Sequence, residues 1–103
     1  MPEILTVAKL EQIPNGKAIS VQAANRRVAV FNIDGKLHAI EDTCTHAGAP
    51  LSEGRLQGTT VTCPWHGATF DVTTGAVLGS PAFENVASYK VSVEGENVLI
   101  EMP

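Results

Sequence analysis

The sequence predicts an all-β, antiparallel domain, and three observations carry that reading. Short apolar or alternating runs recur between turn signals along the whole chain. Two of the breaks, Asp34-Gly35 and Gly95-Glu96, join adjacent runs as hairpin turns would. No stretch holds a sustained helical period with a cap at its start. Many short strands with regular turns point to a sandwich or a small barrel. A length of 103 residues suits one small domain.

Glu3–Leu10 reads as the first strand and Ala18–Val21 as a short second. Val28–Ile33 is β-branched and aromatic, and Asp34-Gly35 follows it directly. A type I′ turn needs positive φ at both central residues, which Asp-Gly supplies, so Lys36–Glu41 should return as the partner strand. Thr59–Cys63, Ala68–Val72 and Ala76–Leu78 are further strand candidates, the last two parted by Thr73-Thr74-Gly75. Ser88–Glu94 and Asn97–Met102 form the closing hairpin. Alternation names Val28, Val30, Ile33, Leu37, Ile40, Val91, Val93, Leu99 and Ile100 as core residues. Met1 and Met102, at the termini, receive no role. The exception is Asp42–Gly58, rich in Ala, Gly, Thr and Pro and without a period. A loop of that length inside a compact domain is usually functional.

Composition narrows the functional classes. The chain is 44% hydrophobic, too much for disorder, and only 5% aromatic, so Val, Ile, Leu and Ala must fill the core. Seven basic residues face eleven acidic ones, a net charge of −4. No Lys/Arg patch is present, and the one adjacent basic pair, Arg26-Arg27, reads as a solvated turn; nucleic acid is not an expected partner. No apolar run approaches the roughly 18 residues of a membrane helix. The start, MPEILTVAKL, lacks a basic region ahead of an apolar one and does not look like a signal peptide. A soluble, cytoplasmic protein is expected, and two cysteines there suggest metal or redox chemistry before a structural disulfide.

Both cysteines and two of the three histidines fall in two short motifs. Cys44-Thr45-His46 is Cys-x-His, and Cys63-Pro64-Trp65-His66 is Cys-x-x-His, with residues 47–62 between the two. Small residues follow each: Ala47-Gly48-Ala49-Pro50 and Gly67-Ala68. They let backbone N–H groups approach a bound centre closely. Thiolates suit iron–sulfur clusters and zinc, and imidazole suits iron and zinc alike. A Cys2His2 zinc site uses the same ligand types. A Cys44–Cys63 disulfide would leave the histidine spacing to coincidence. His38 reads as an ordinary strand residue, and Trp65 as a residue packed in the loop beside the site.

The segment CTHAGAPLSEG…CPWHGATFDVTTG resembles the Rieske motif. Gly48, Gly67, Phe70, Asp71, Gly75 and Pro81 also sit where such sequences carry them. The resemblance implies an antiparallel, sandwich-like Rieske fold with a small cluster-binding subdomain inserted in a base domain. It implies one domain over 1–103, with the cluster-binding loops within 42–82 and the Pro81 segment as a third, covering loop. It implies one [2Fe–2S] cluster per chain, with Cys44 and Cys63 on one iron and His46 and His66 on the other. Such a centre, with neutral histidines, has no net charge when oxidised and one negative charge when reduced. It therefore accepts an electron more readily than a four-thiolate cluster.

High-potential Rieske proteins of respiratory complexes carry an extra cysteine in each loop, joined as a disulfide, and a Ser and a Tyr hydroxyl near the cluster. The corresponding residues here are Ala49, Trp65, Ala68 and Phe70. The departures imply a potential near the low end of the range, roughly −150 mV. That profile is similar to the soluble Rieske-type ferredoxins, which pass one electron from a flavoprotein reductase to the terminal oxygenase of a ring-hydroxylating dioxygenase system. The resemblance thus implies an electron carrier and not an enzyme in itself; no heptad or large apolar strip calls for a dimer, so a monomer is expected. Ala47, Ala49, Pro50, Pro64 and Pro81 would form an apolar collar, and Glu41, Asp42, Glu53 and Glu84 could steer a basic partner. The alternative is the small subunit of an assimilatory NADH nitrite reductase, many of which lack the full ligand set that this chain has.

Overall fold

The computed structural model describes residues 3–44, 49–65, 67–79 and 84–102. Ten strands follow in order: β1 Glu3–Lys9, β2 Ala18–Ala23, β3 Arg26–Ile33, β4 Lys36–Glu41, β5 Arg55–Gln57, β6 Thr60–Thr62, β7 Thr69–Asp71, β8 Val77–Gly79, β9 Ser88–Glu94 and β10 Asn97–Met102. Single 3-10 turns at Leu10–Gln12 and Leu51–Glu53 complete the described elements, with no α-helix among them. No helix among the described residues is long and apolar enough to cross a membrane.

The strands form two antiparallel sheets. The larger, the base, has the order β1-β10-β9-β4-β3-β2, and the smaller runs β5-β6-β7-β8. Beyond Glu41 the chain leaves the base and builds the whole small sheet. It returns at Ser88 on β9, which lies beside β4 with Ala39 opposite Tyr89 and Ile40 opposite Ser88. The small sheet is thus an insertion between two neighbouring strands of the base, as the sequence implied. The base curls so that its outer strands β1 and β2 approach each other.

Turn chemistry sets the hairpins. Asp34 and Gly35 both have positive φ, 53° and 86°, and Ile33 pairs with Lys36, the expected I′ geometry. Ala24 and Asn25 do the same between β2 and β3, at 49° and 68°. Sequence reasoning missed that turn, because Ala is an unusual residue at positive φ. At the last hairpin the positive φ falls on Gly95.

Two buried clusters share β3 and β4. Val28 and Val30 join Ala39, Val98, Ile100 and Met102 in the base core. Ala29 and Phe31, on the opposite face of β3, join Ile40, Leu51, Val61, Phe70, Val72 and Val86 beneath the small sheet. A strand covered on both faces reads as a continuous apolar run, and Val28-Ala29-Val30-Phe31 is one. Alternation had named Val28 and Val30 on one face, but on the other only Ile33, and neither Ala29 nor Phe31. Two terminal expectations are corrected here. Met102 is fully buried in the base core, because β10 continues to the end of its ladder opposite Glu3. Val93 is exposed, since it lies beyond the part of β9 that pairs with β4.

Candidate metal centre

Each cysteine sits on the stem of a short loop, and the two stems are built alike. Cys44 N–H donates to the Ala49 carbonyl at 2.9 Å, and Cys63 N–H donates to the Ala68 carbonyl at 2.7 Å. In both, the bond runs from a cysteine to the residue five positions later and encloses four residues, 45–48 in one and 64–67 in the other. Below the first loop, Thr43 and Pro50 form an isolated antiparallel bridge. The second grows from the β6–β7 hairpin, where Thr62 faces Thr69. Gly67 closes it at φ 77°, its N–H donating to the Cys63 carbonyl at 3.3 Å.

The equal stems place both sulfur-bearing residues at equivalent positions, 2% and 3% exposed. Both belong to the buried cluster beneath the small sheet, with Ala49 and Ala68 fully buried beside them. Neither is in a disulfide. The donor set fits an iron–sulfur cluster: two cysteine thiols, soft donors, in one apolar surrounding, each followed in sequence by a His two or three residues later. His46 and His66, with Ala47, Gly48 and Pro81, lie outside the described residues. Among the described residues no group of three or more His, Cys, Asp or Glu side chains converges.

Asp42 fixes how the first loop leaves the base. Its carboxylate accepts from Ser20 Oγ at 2.8 Å and from the Ser52 N–H at 2.7 Å. Its backbone takes part as well, with Asp42 N–H bonding the Arg27 carbonyl at 3.0 Å and Leu51 N–H bonding the Asp42 carbonyl at 2.6 Å. At 1% exposure this acid does not face a partner, which corrects its place among the steering residues. A buried carboxylate needs such donors, and here they come from two separate segments, β2 and the Leu51–Glu53 turn. That role has no sequence signal, because Ser20 and Ser52 reach Asp42 only through the tertiary fold. Glu53 and Glu84 are exposed, and Glu41 is half-buried.

Further expectations change beside the site. Ala49 is fully buried, so it lines the loop stem and contributes nothing to an outer collar. Pro50 is half-buried and Pro64 exposed. Trp65 is 62% exposed and does not pack into the loop, because the tight Cys63–Ala68 closure holds residues 64 and 65 outward. Ala68 and Phe70 are both fully buried in the cluster that holds the cysteines, and neither brings a hydroxyl there.

His38 lies on β4 opposite Phe31, on the seam between the sheets, and borders a groove with Thr73, Ser88 and Lys90. Across that seam Asp71 ends β7, and its Oδ1 accepts from Thr73 N–H at 2.8 Å and Thr73 Oγ1 at 2.6 Å. Those bonds, side chain first, hold the Asp71 carboxyl below its ordinary range. Slight burial opposes them, and His38 adds a small pull in the same direction.

Close approaches lock the small sheet under the loops. A Cβ on Gly54 would stand 2.2 Å from the Thr62 carbonyl oxygen, and one on Gly75 would stand 2.2 Å from that of Val86. Only glycine fits at either point.

Comparison with known proteins agrees with this construction. The Rieske [2Fe-2S] domain family matches residues 3–90. The ferredoxin component of the naphthalene 1,2-dioxygenase system of Pseudomonas aeruginosa is 36% identical over 93 residues, covering 90% of this chain and 89% of that protein. The ferredoxin of carbazole 1,9a-dioxygenase from Nocardioides aromaticivorans IC177 superposes with a TM-score of 0.90 at 31% identity, over 94% of this chain and 95% of that one. A ferredoxin-length chain from a complex of reduced oxygenase and oxidised ferredoxin in carbazole 1,9a-dioxygenase gives 0.87 at 34% identity, over 94% and 91%. A nitrite reductase small-subunit structure, at 22% identity and a TM-score of 0.82 over 95% of this chain and 97% of that one, shares the fold alone. By the match over residues 3–90 and by its relatives, this chain belongs to the Rieske [2Fe-2S] domain family.

Proposed function

We propose that this protein is a one-electron carrier, the ferredoxin component of a multicomponent oxygenase system. It takes electrons from a flavoprotein reductase and passes them to a terminal oxygenase of the aromatic-ring-hydroxylating type. It is not an enzyme in itself. Its cluster is held by Cys44 and Cys63 on one iron and by His46 and His66 on the other. It works in the cytoplasm as a monomer and as one domain over 1–103, with its cluster loops within 42–82.

The observation that carries this reading is the equivalence of the two loop stems. Two cysteines at matching positions, each closed by the same kind of backbone bond and both buried in one apolar cluster, supply half of a Rieske ligand set. When bound, the cluster supplies a one-electron couple whose potential depends on charge, hydrogen bonds to sulfur and exposure. The chain's own residues do the rest. Ala49, Ala68 and Phe70 keep water from the cysteine side. The Asp42 bonds fix the exit of the first loop, and the Gly67 turn fixes the second. With Ala68 and Phe70 giving no hydroxyl donor, the potential lies near the low end of the Rieske range, roughly −150 mV. The ferredoxin relatives at 36% and 31% identity support a carrier in preference to a nitrite reductase subunit.

Electron paramagnetic resonance of dithionite-reduced protein, with iron and sulfide analysis of the same sample, tests the assignment. A rhombic signal with an average g below that of all-thiolate clusters is expected. It should be lost in His46→Ala and in His66→Ala. A silent sample containing zinc would replace the carrier with a structural metal domain.

A further inference from the structure

The two loop stems match position for position, and one position differs in charge. In the first, the Thr43–Pro50 bridge is flanked by two backbone bonds, Leu51 N–H to the Asp42 carbonyl and Cys44 N–H to the Ala49 carbonyl. In the second, Thr62 faces Thr69, with Val61 opposite Phe70 on one side and the Cys63 N–H bond to the Ala68 carbonyl on the other. Asp42 therefore corresponds to Val61 and Leu51 to Phe70, and Asp42 and Val61 each stand two residues before a cysteine. Side chains two residues apart on an extended chain leave the same face, with about 7 Å between them. Burial follows that rule. Asp42, Cys44, Ala49 and Leu51 are buried, while Thr43 is exposed and Pro50 half-buried. The Asp42 side chain thus shares a buried face with the Cys44 thiol.

Of the four residues at these matched positions, Leu51, Val61 and Phe70 are apolar and Asp42 alone is an acid. Both of its oxygens accept hydrogen bonds, Oδ1 from Ser52 N–H and Oδ2 from Ser20 Oγ, as an ionised carboxylate's do. Its other partners are backbone groups of Arg27 and Leu51, so no cation pairs with it among the described residues. The Arg27 side chain itself is exposed. A buried charge without a counter-ion costs stability. The stem does not require one, since Val61 fills the equivalent place, and a neutral amide could make both side-chain bonds. Resting on the carrier reading above, in which Cys44 is a cluster ligand, we propose that the Asp42 carboxylate holds the reduction potential low by its charge. Reduction adds one negative charge to the centre. A fixed carboxylate on the same buried face raises the energy of the reduced form more than that of the uncharged oxidised form. Water and salt screen such a buried charge weakly. The low potential then has two separable sources, the absent hydroxyls at Ala68 and Phe70 on one stem and the Asp42 charge on the other.

The test is a voltammetric titration of the holoprotein, with the paramagnetic resonance spectrum of each reduced variant. Asp42→Asn can keep both side-chain bonds and removes the charge. It should raise the potential by about 59 mV, a tenfold change in a one-electron equilibrium, with the rhombic signal retained. The shift should persist at about 1 M salt, where the screening length is about 3 Å and exposed charges are masked. Ser20→Ala keeps the charge and removes one donor, so its potential should hold or fall. Glu96→Gln, which neutralises an exposed acid in the β9–β10 turn, should change the equilibrium less than twofold. An Asp42→Asn change below threefold, or a lower potential, would overturn the proposal. So would a rise in Ser20→Ala, which would trace the effect to a loosened loop and not to charge, and which reads out even where Asp42→Asn fails to fold. A wild-type protein without a rhombic signal would instead remove the cluster reading on which the proposal stands.

Discussion

The Asp42 carboxylate is held by one hydroxyl and one backbone N–H while its own backbone bridges Arg27 and Leu51. Hydrogen bonds to a charged group are worth about 1.5–3 kcal/mol each, and their removal leaves buried donors without a partner. Asp42→Ala should therefore destabilise the fold by about 3 kcal/mol, enough to lower the melting midpoint by more than about 10 °C in a chain of this size. A midpoint within 3 °C of wild type would mean that the loop exit is held by something other than this acid. Ala68 and Phe70 test a different property. Both are buried among the residues around the cysteines, so a hydroxyl placed there meets little competition from water. The double variant Ala68→Ser, Phe70→Tyr should raise the potential by about 60 mV, a tenfold change in a one-electron equilibrium. An unchanged or lower value in a voltammetric titration would remove the hydrogen-bond account. At this scale the sequence was legible where chemistry is local. The two cysteines stand out by their spacing, and the fold buries both in one cluster, whereas Asp42 and Met102 acquire their roles only from what the fold places around them.

At the scale of elements, legibility followed turn chemistry. Lys36–Glu41, Ser88–Glu94 and Asn97–Met102 have the bounds that their flanking turns suggested. Within the segment read as a loop over 42–58, the structure has a bridge at Thr43 and Pro50, a 3-10 turn at Leu51–Glu53 and strand β5. Three-residue strands carry too few side chains to show a period, so Arg55–Gln57 could not be read as one. The turn after β7 makes a pH prediction. Thr73 lowers the Asp71 pKa in the folded protein, so the charged carboxylate is favoured by folding. The resulting stabilisation is complete above the unfolded carboxyl pKa, about 3.9, and is lost as pH falls through the lower, folded value. Asp71→Asn removes the titrating group. Wild type should exceed the variant in urea midpoint near pH 6, with the gap closing below pH of about 4. Cluster loss in acid affects both chains alike, so the difference between them still reports Asp71. A gap that stays constant down to pH of about 2 would place the Asp71 contribution in its geometry and not its charge.

At the scale of the whole molecule, the two cores divide the work. The base core draws on β1, β2, β3, β4, β9 and β10 and contains neither cysteine. The second core contains both, and its small sheet is made of three-residue strands. Isolated strands that short are marginal by themselves, so the small sheet must lean on the base through Ala29, Phe31 and Ile40 and on whatever binds its cysteines. Ligand binding to the folded form alone stabilises that form, and a metal centre closes the loops it joins. Removing the cluster should therefore act unevenly. Hydrogen exchange of the iron-depleted protein should show faster exchange across Arg55–Gln57, Thr60–Thr62 and Thr69–Asp71. The amides of β1, β9 and β10 should keep most of their protection, because their core is untouched. The shared strands β3 and β4 should fall between, losing partners on one face only. Uniform loss of protection would show that the two cores open as one cooperative unit, with β3 and β4 coupling them too tightly for either to yield alone. Unchanged exchange in the small sheet would show that Leu51, Val61, Phe70 and Val72 hold it without the cluster. The metal would then contribute redox chemistry and no stability.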